Sequence, residues 1–189
     1  MLHKIRYAME ERDKQYCLKG RIELDDAYLG GESKGKRGRG AGGKVPILAA
    51  VEKRQTRDGT KPGYVAIRIV ESISSALVKD FVVSKIVPGS TIETDGLSVY
   101  GILNGIDFIH KAYVTENGSK AKELFPWVHL VIGNLKRFIL GTHHHADPKY
   151  LRFYVSEYCY RLNRRFHEDD LFEHLMKACL LISPRKHNI

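Results

Sequence analysis

The sequence predicts an α/β protein with a mixed β-sheet and helices packed on it. Strand-like segments at 21–29, 45–53 and 64–70 follow one another with no helix between them, which is typical of an antiparallel meander. Later strand-like segments alternate with helical ones, as they do when each strand joins the sheet through a crossover. The composition agrees, because 43% hydrophobic and 28% charged residues in a chain of 189 are ordinary values for a globular domain.

The first half of the chain predicts a helix followed by three strands. Residues 1–16 have the apolar spacing of an amphipathic helix. The run RIELDDAYL at 21–29 alternates as a strand does, and Gly30–Gly31 end it. The turn signal TRDGTKPG separates the next two strand-like runs, 45–53 and 64–70, and therefore predicts an antiparallel hairpin.

The second half predicts alternating strands and helices and then helices alone. Asp147–Pro148 suits an N-cap followed by a first-turn proline, so a helix is expected to begin there. In chain order the predicted elements are a helix at 74–87, a strand at 91–95, a helical turn at 99–103, a strand at 106–114, and helices at 122–141, 148–166 and 171–182.

Charge indicates the kind of partner. Lys and Arg number 31 against 22 Asp and Glu, a formal net charge of +9. This favours a polyanion, most often nucleic acid, although a basic domain with no such partner stays open. The charged N-terminus is unlike a secretory signal, and no run approaches the roughly 18 apolar residues that a membrane helix needs. The three cysteines lack metal-ligand spacing, so we expect reduced thiols in a cytosol.

A glycine-rich basic segment at 30–44 follows the first predicted strand. Glycine at this density makes an ordered backbone costly, and neighbouring cations repel one another. We expect a mobile loop that orders on DNA phosphates; a solvated hairpin tip is the alternative. Its predicted DNA-binding residues are Lys34, Lys36, Arg37, Arg39 and Lys44.

The pattern I-E-x-D occurs twice, at 22–25 and at 92–95. If the two strands are neighbours, Asp25 and Asp95 meet at one end of the sheet, since alternate side chains share a face. Two close carboxylates repel unless a hard cation lies between them, and Mg²⁺ prefers oxygen ligands. Two such ions would suit in-line phosphoryl transfer. The simpler interpretation is that both aspartates only form turns.

Asp26 adds an ambiguity beside Asp25. Alternation along the strand places Asp26 on the opposite face, so only one of the two can meet Asp95. Asp25 is the better geometric choice because it matches the repeated pattern.

A third ligand is expected from the helix at 122–141. Asn134 falls about 60° from Val131, at the edge of the predicted apolar stripe, where a side chain stays near the sheet and reaches a cleft. Asn134 at such a position is also consistent with a mere boundary residue. His129, Lys136 and Arg137 are expected to point elsewhere, toward solvent or DNA. The predicted stripe consists of Leu124, Trp127, Val131, Leu135 and Phe138.

Three runs carry a resemblance to a known family: IELDDAYLGGESKGKRGRGAGGK, TIETDGLSVY, and WVHLVIGNLKRFILGTHHH with EYCYRLNRRF behind it. Together they resemble the ISXO-like transposase domain, the catalytic core of a group of bacterial insertion-sequence transposases in the DDE superfamily. The resemblance covers about residues 20–167, and the motifs occur in the family's order.

The resemblance implies an RNase H-like fold, with a mixed five-stranded sheet, flanking helices and extra C-terminal helices. It implies that Asp25 and Asp95 bind metal and that Asn134 occupies the third catalytic position, where members often carry Asn. The implied cofactor is Mg²⁺, with Mn²⁺ as a substitute. The implied partners are double-stranded DNA, as element ends and as target, and further copies of the chain on that DNA. The implied location is the bacterial cytoplasm, at the nucleoid.

The domain organisation expected from this resemblance has three parts. Residues 1–19 would be a helix left from a linker to a missing DNA-binding region, 20–167 the catalytic domain, and 168–189 a C-terminal helix and tail. Relatives usually carry an N-terminal zinc ribbon, which is not visible here. Gly133 also departs from the pattern, since glycine inside a helix costs up to about 1 kcal/mol relative to Ala and relatives are expected to carry a slightly larger residue.

Two further groups of residues suggest contacts with DNA. His143–His145 resembles a metal tract, yet adjacent residues on a turn point in different directions, whereas zinc sites need spaced ligands. The family resemblance implies a similar histidine-containing loop, with a conformational role or a contact with the DNA backbone. Basic residues on or beside the last helices are expected to hold phosphates, with a solvated surface as the alternative. They are Lys136, Arg137, Arg161, Arg164 and Arg165.

The leading functional hypothesis is a metal-dependent transposase core that cleaves DNA 3′ ends and transfers them to a target. The alternative is a truncated, catalytically impaired fragment that only binds DNA or a full-length partner. An RNase H-type hydrolase acting on RNA–DNA hybrids would share the metal chemistry, but it explains the basic loop less well.

Overall fold

The computed structural model describes residues 2–30, 44–113, 124–142, 146–167 and 169–182. The strands are β1 (Arg21–Leu29), β2 (Val45–Thr56), β3 (Gly59–Ile69), β4 (Thr91–Asp95) and β5 (Ile109–Tyr113). The helices are α1 (Leu2–Asp13), α2 (Ser75–Lys85), α3 (Pro126–Thr142), α4 (Pro148–Asn163) and α5 (Leu171–Leu180), with a 3₁₀ helix at Ser98–Gly105 between β4 and β5.

The five strands form one mixed sheet in the order β3-β2-β1-β4-β5. The pairs β3–β2 and β2–β1 are antiparallel, which confirms the predicted meander, and the hairpin turn lies between Thr56 and Gly59. The pairs β1–β4 and β4–β5 are parallel, because each is connected through a helix. β1 is therefore the central strand, with an antiparallel neighbour on one side and a parallel neighbour on the other.

Helices cover both faces of this sheet. On one face the alternate residues Ile47, Ala49 and Val51 of β2 form a core with α3 and α4. On the other face Leu48 and Ala50 join a core with α2 and the 3₁₀ helix. The alternation arises because successive side chains of a strand point to opposite faces, so both faces of β2 are apolar.

Local sequence signals account for several helix ends. Asp147 accepts a 3.0 Å hydrogen bond from the backbone N–H of Lys149 and Pro148 occupies the first turn of α4, as predicted. Ser74 caps α2 in the same way through the backbone N–H of Leu77. The helices end earlier than their apolar patterns suggest, with α1 ending at Asp13 and α4 at Asn163.

The outer edge of β3 is covered by a side chain from α4. Asn163 Oδ1 accepts a 2.8 Å hydrogen bond from the backbone N–H of Val65, and Asn163 Nδ2 donates at 3.0 Å to the carbonyl of the same residue. The amide group thus satisfies both backbone groups that Val65 presents at the sheet edge, as a neighbouring strand would.

Two arginines that were expected to hold phosphates serve the fold instead, so that prediction is wrong for them. The buried Arg164 donates a 2.9 Å hydrogen bond to Asp13 at the end of α1. Arg165 donates to the carbonyls of Pro62 and Gly63 in β3. Both guanidinium groups are occupied by partners about 100 or more residues away in sequence, which a local charge pattern cannot reveal. Arg161 is exposed.

Within the described part of the chain, no helix is both long enough and apolar enough to cross a membrane. The cysteines Cys17, Cys159 and Cys179 are all free thiols, as predicted. Cys159 is buried against the sheet, and the other two are exposed.

Candidate active site

Asp25 and Asp95 lie on the same face of adjacent parallel strands. The register pairs Ile22 with Ile92 and Glu23 with Glu93, so the two I-E-x-D sequences align residue for residue. Asp25 and Asp95 follow two residues further along, and alternation places both on the face that carries α3. The sequence repeat therefore corresponds to a spatial repeat, but Asp25 lies at the centre of β1, which continues to Leu29, whereas Asp95 is the last residue of β4.

Each of these aspartates is oriented by a nearby backbone N–H. Asp25 Oδ1 accepts a 2.8 Å hydrogen bond from the N–H of Asp26, and Asp95 Oδ1 accepts one of 3.1 Å from the N–H of Leu97. Both carboxylates are partly buried rather than fully solvated. Both side chains are thus oriented by the backbone before any ligand binds.

Asp26 lies on the opposite face of β1, as alternation predicts. Its Oδ1 accepts a 3.1 Å hydrogen bond from the hydroxyl of Tyr100, a fully buried residue of the 3₁₀ helix. Burial raises the pKa of Tyr100, and the negative charges of Asp26, Asp25 and Asp95 raise it further. Negative charge is therefore concentrated around this hydroxyl.

The glutamates of the repeated pattern form a buried ionic network. Lys53 Nζ lies 2.8 Å from Glu93 Oε2 and 3.1 Å from Glu23 Oε1. Arg21 Nη2 lies 2.7 Å from Glu93 Oε1. Burial lowers the pKa of Lys53, but the two carboxylates outweigh this and hold it above its usual value, so the ammonium stays charged. The network therefore links β1, β2 and β4 through the two glutamates that lie two residues before Asp25 and Asp95.

Glu23 also fixes the start of α3. Its Oε2 accepts 2.9 Å hydrogen bonds from the backbone N–H groups of Trp127 and Val128, which are in the first turn and have no partner within the helix. A negative charge at a helix N-terminus is favourable for the helix dipole as well. The first turn of α3 is therefore held over β1, two residues from Asp25.

This arrangement brings His129 to Asp25, which the sequence analysis did not foresee. His129 Nδ1 lies 3.5 Å from Asp25 Oδ2, and the histidine side chain is 35% exposed. The prediction that His129 points away from the site is wrong. The physical reason is the rotation of α3: the buried residues are Val128, Val131, Ile132, Leu135 and Ile139, not the predicted set.

The centre of the buried stripe lies about 60° around the axis of α3 from the centre of the predicted stripe. Asn134 is therefore further from the buried face than predicted. Asn134 and His129 are about 140° apart around the axis and roughly 7.5 Å apart along it, so they lie on opposite flanks of the buried stripe. On the flank of Asn134, Trp127 donates a hydrogen bond to Thr60 of β3, and Phe138 packs on Tyr158 of α4. Asn134 Oδ1 accepts a 3.1 Å hydrogen bond from Arg137. Its role as a ligand stays a prediction.

The signal for His129 was present in the sequence. Nearly every position from 127 to 140 that is not charged is apolar, so two stripes compete along α3. The stripe through Val128, Ile132 and Ile139 places His129 beside the buried face, whereas the one through Trp127 and Phe138 turns it away. Local periodicity alone cannot choose between them.

The comparison with known families is decisive for identity. The sequence matches the ISXO2-like transposase domain over residues 17–163, which is more than half of the chain. The chain belongs to this family. It is a transposase domain of the DDE superfamily, as the resemblance of its motifs implied. No curated protein matches it in sequence.

Structural comparison supports the fold of the transposase domain. A chain of the simian T-cell lymphotropic virus intasome in complex with the PP2A regulatory subunit B56 gamma is similar, with 14% sequence identity and a TM-score of 0.51. The similarity covers 92% of this chain and 58% of that one. The Mos1 transposase paired-end complex with left transposon end has 9% identity and a TM-score of 0.33, with 94% and 62% covered, which is too low to support an argument. The fold is RNase H-like, as predicted.

The predicted DNA-binding residues of the transposase domain are only partly described. Lys136 and Arg137 are exposed on α3, and Lys44, immediately before β2, is partly buried. Lys34, Lys36, Arg37 and Arg39 lie outside the described residues, as do His143–His145.

The donor atoms near Asp25 fit a divalent cation chemically. Carboxylate oxygens on adjacent strands suit Mg²⁺ or Mn²⁺, and an imidazole nitrogen suits the transition metals. Among the residues that the structure describes, no three His, Cys, Asp or Glu side chains form a ready-made metal cluster. Asp25 and His129 form a close pair, and Asp95 would have to approach this pair if it joins the same ion.

Proposed function

We propose that this transposase domain cleaves DNA at the 3′ ends of an insertion element and joins those ends to target DNA. The observation that carries the proposal is the alignment of Asp25 and Asp95 on one face of two adjacent parallel strands. These two carboxylates would hold the divalent ions, Mg²⁺ or Mn²⁺, that the chemistry requires. The bound ions would supply charge neutralisation and activation of the attacking oxygen.

The reaction has two phosphoryl-transfer steps at the same site. In the first, a water oxygen bonds to phosphorus and loses a proton to solvent, while the bond from phosphorus to the 3′ oxygen breaks and that oxygen takes up a proton. In the second step the freed 3′ hydroxyl loses its proton to solvent and bonds to a target phosphorus, while the target's own 3′ oxygen leaves and takes up a proton. Asp25 and Asp95 would hold these ions beside the scissile phosphate, and no covalent bond to the protein would form.

The third ligand in this proposal is the position on α3, for which Asn134 is the sequence prediction. The basic segment with Lys34, Lys36, Arg37 and Arg39, together with Lys44, would contact DNA phosphates. Lys136 and Arg137 support the same role because they are exposed on α3, the helix that also carries His129. Double-stranded DNA is the proposed partner, with the chain acting as a homo-oligomer in a bacterial cytoplasm.

The test is strand transfer of a labelled, pre-cut element end into supercoiled plasmid with Mg²⁺ or Mn²⁺. Joined product is expected from the unaltered chain and not from Asp25→Asn or Asp95→Asn. Asp26→Asn is the matched control, since it removes the neighbouring charge on the opposite face and keeps the oxygen that accepts from Tyr100. We expect that variant to keep most of the product.

Three results would overturn the proposal. Equal product from Asp25→Asn and the unaltered chain would show that the carboxylate is not part of the chemistry. DNA binding with no metal-dependent product in any variant would favour the binding-only fragment instead. Stronger cleavage of RNA–DNA hybrid than joining of duplex ends would favour the hydrolase.

A further inference from the structure

We propose that His129, rather than Asn134, is the third metal ligand, and that its nitrogen biases the site toward Mn²⁺ over Mg²⁺. The inference deepens the proposed function and rests on it, because it assumes that Asp25 binds the ion. It concerns which residue of α3 completes the site and which cation the site prefers.

His129 lies beside Asp25 at a distance that suits two ligands of one ion. Their separation of 3.5 Å between Nδ1 and Oδ2 exceeds an ordinary N–H···O hydrogen bond of about 2.7–3.2 Å. Adjacent donors on an octahedral ion, each at about 2.1 Å from it, are roughly 3 Å apart. The two atoms therefore need to move by only a few tenths of an ångström to share one ion.

The position of His129 is fixed by hydrogen bonds between Glu23 and the start of α3. Glu23 holds the N–H groups of Trp127 and Val128, the two residues immediately before His129, at 2.9 Å. Glu23 and Asp25 are alternate residues of one strand and point to the same face. The imidazole is thus anchored to the same strand as the carboxylate that it faces, so their relative position does not depend on a loop.

Asn134 lies on a different flank of α3 from His129. It lies about 140° around α3 from His129, so both cannot reach one point beside β1. The neighbours of that flank belong to β3 and α4, on the side of the sheet away from β4 and Asp95. The Asn134 carboxamide oxygen, moreover, already accepts from Arg137.

A nitrogen donor changes which cation the site prefers. Mg²⁺ is bound almost entirely through oxygen and keeps several waters, whereas imidazole is a good ligand for first-row transition metals. A site made of two carboxylates and one imidazole should therefore bind Mn²⁺ more tightly relative to Mg²⁺ than a site made of carboxylates alone. Replacing the nitrogen by a carboxylate should weaken that preference.

The experiment measures Mn²⁺ binding to the full chain without DNA, by electron paramagnetic resonance and competition with Mg²⁺. Pulsed measurements detect magnetic coupling between Mn²⁺ and a directly bonded nitrogen, which a structural role for His129 would not produce. We expect this ¹⁴N coupling in the unaltered chain and in Asn134→Ala, and its loss in His129→Glu and His129→Ala. We also expect His129→Ala to weaken Mn²⁺ binding about tenfold or more.

Metal preference gives an independent readout. The ratio of Mn²⁺ to Mg²⁺ affinity should fall about tenfold in His129→Glu, which keeps a ligand and changes nitrogen to oxygen. Circular dichroism of each variant checks that the fold is retained. If His129→Ala is unfolded, the His129→Glu comparison still decides the question.

The failures of the two proposals are distinguishable. Loss of Mn²⁺ binding in Asp25→Asn, together with no ¹⁴N coupling and no change in His129→Glu, would overturn the role of His129 and leave the metal site. Unchanged Mn²⁺ binding in Asp25→Asn would overturn the metal site itself. Weaker binding in Asn134→Ala but not in His129→Ala would restore Asn134 as the ligand.

Discussion

Glu23, fully buried in the central strand, accepts a 2.9 Å hydrogen bond on Oε2 from the backbone N–H of Val128 at the start of α3. Glu23 is therefore both the first acid of the repeated pattern and the residue that caps the helix above it. Its other oxygen faces Lys53, which also binds Glu93. The position of α3 over the aspartates thus depends on a side chain from the strand that carries Asp25.

Removing that cap should destabilise the domain. We expect Glu23→Ala to lower the free energy of unfolding by about 3 kcal/mol, because two helix N–H groups and Lys53 lose a buried partner. Glu23→Gln keeps an accepting oxygen, and burial raises the pKa of Glu23, so its charge is costly; we expect a loss of about 1 kcal/mol. Urea denaturation measures both.

Asp80→Asn is the control for Glu23, since Asp80 pairs with Arg68 at 2.6 Å but its side chain is 70% exposed. Exposed pairs contribute little, so the loss should stay below about 1 kcal/mol. If Glu23→Ala is as stable as this control, the capping role of Glu23 is wrong.

Stability should fall at alkaline pH because of one buried thiol. Burial raises the pKa of Cys159 to about 12. The folded state therefore keeps a proton that the unfolded chain releases above its own thiol pKa, near 9. The contribution is complete below pH 9 and is lost as pH rises toward 12, with a slope approaching about 1.4 kcal/mol per pH unit.

Urea denaturation between pH 8.5 and 10 tests this, with Cys159→Ala as the comparison. That variant should start less stable but lose less stability per pH unit over the same interval. Burial also raises the pKa of Tyr158 to about 12, so the interval ends at pH 10, before the tyrosines of the unfolded chain release most of their protons. Parallel slopes for the two proteins would contradict the assignment to Cys159.

The exposed cation Lys136 should contribute to DNA binding without sequence preference. We expect Lys136→Ala to weaken binding to duplex DNA and to reduce the slope of log K against log salt by about 1, the signature of one lost phosphate contact. Lys79→Ala is matched in charge and exposure, but it lies on α2, on the opposite face of the sheet. Fluorescence anisotropy at several salt concentrations should show a smaller change for Lys79→Ala.

Gly133 offers a stabilising substitution. It lies within α3, and a Cβ added there would meet no atom within 4 Å. Gly133→Ala should therefore raise the free energy of unfolding by about 1 kcal/mol, the difference in helix propensity. Gly20→Ala also has open space, but its φ of +83° strains an L residue, so it should destabilise the domain. Thermal unfolding that moves both variants in the same direction would contradict this.

The strands were predictable from the sequence, and the facing of α3 was not. Alternation located β1 and β4 and separated Asp25 from Asp26, because a strand has only two faces. In α3 the apolar residues nearly encircle the helix, so its orientation is decided by contacts with distant residues. Glu23, 104 positions before Trp127, is one of these contacts, and it determines that His129 faces Asp25.

The net charge indicated the class of partner, but the charge of a single residue did not reveal its role. The net charge of +9 indicated a polyanionic partner, yet Arg164 and Arg165 are occupied inside the fold. Their partners, Asp13 and the carbonyls of β3, become neighbours only once α1 and α4 have packed. The same composition therefore contains cations with structural roles and exposed cations, for which contact with DNA is a proposal.

The pairing of Asn163 with Val65 has a consequence for assembly. Because the carboxamide occupies both backbone groups of Val65, a strand from a second molecule cannot continue the ladder through that residue. Edge-to-edge pairing of two copies is thereby blocked where this border passes Val65. If copies assemble on DNA as proposed, their contacts would have to avoid a continuous β-ladder through this residue.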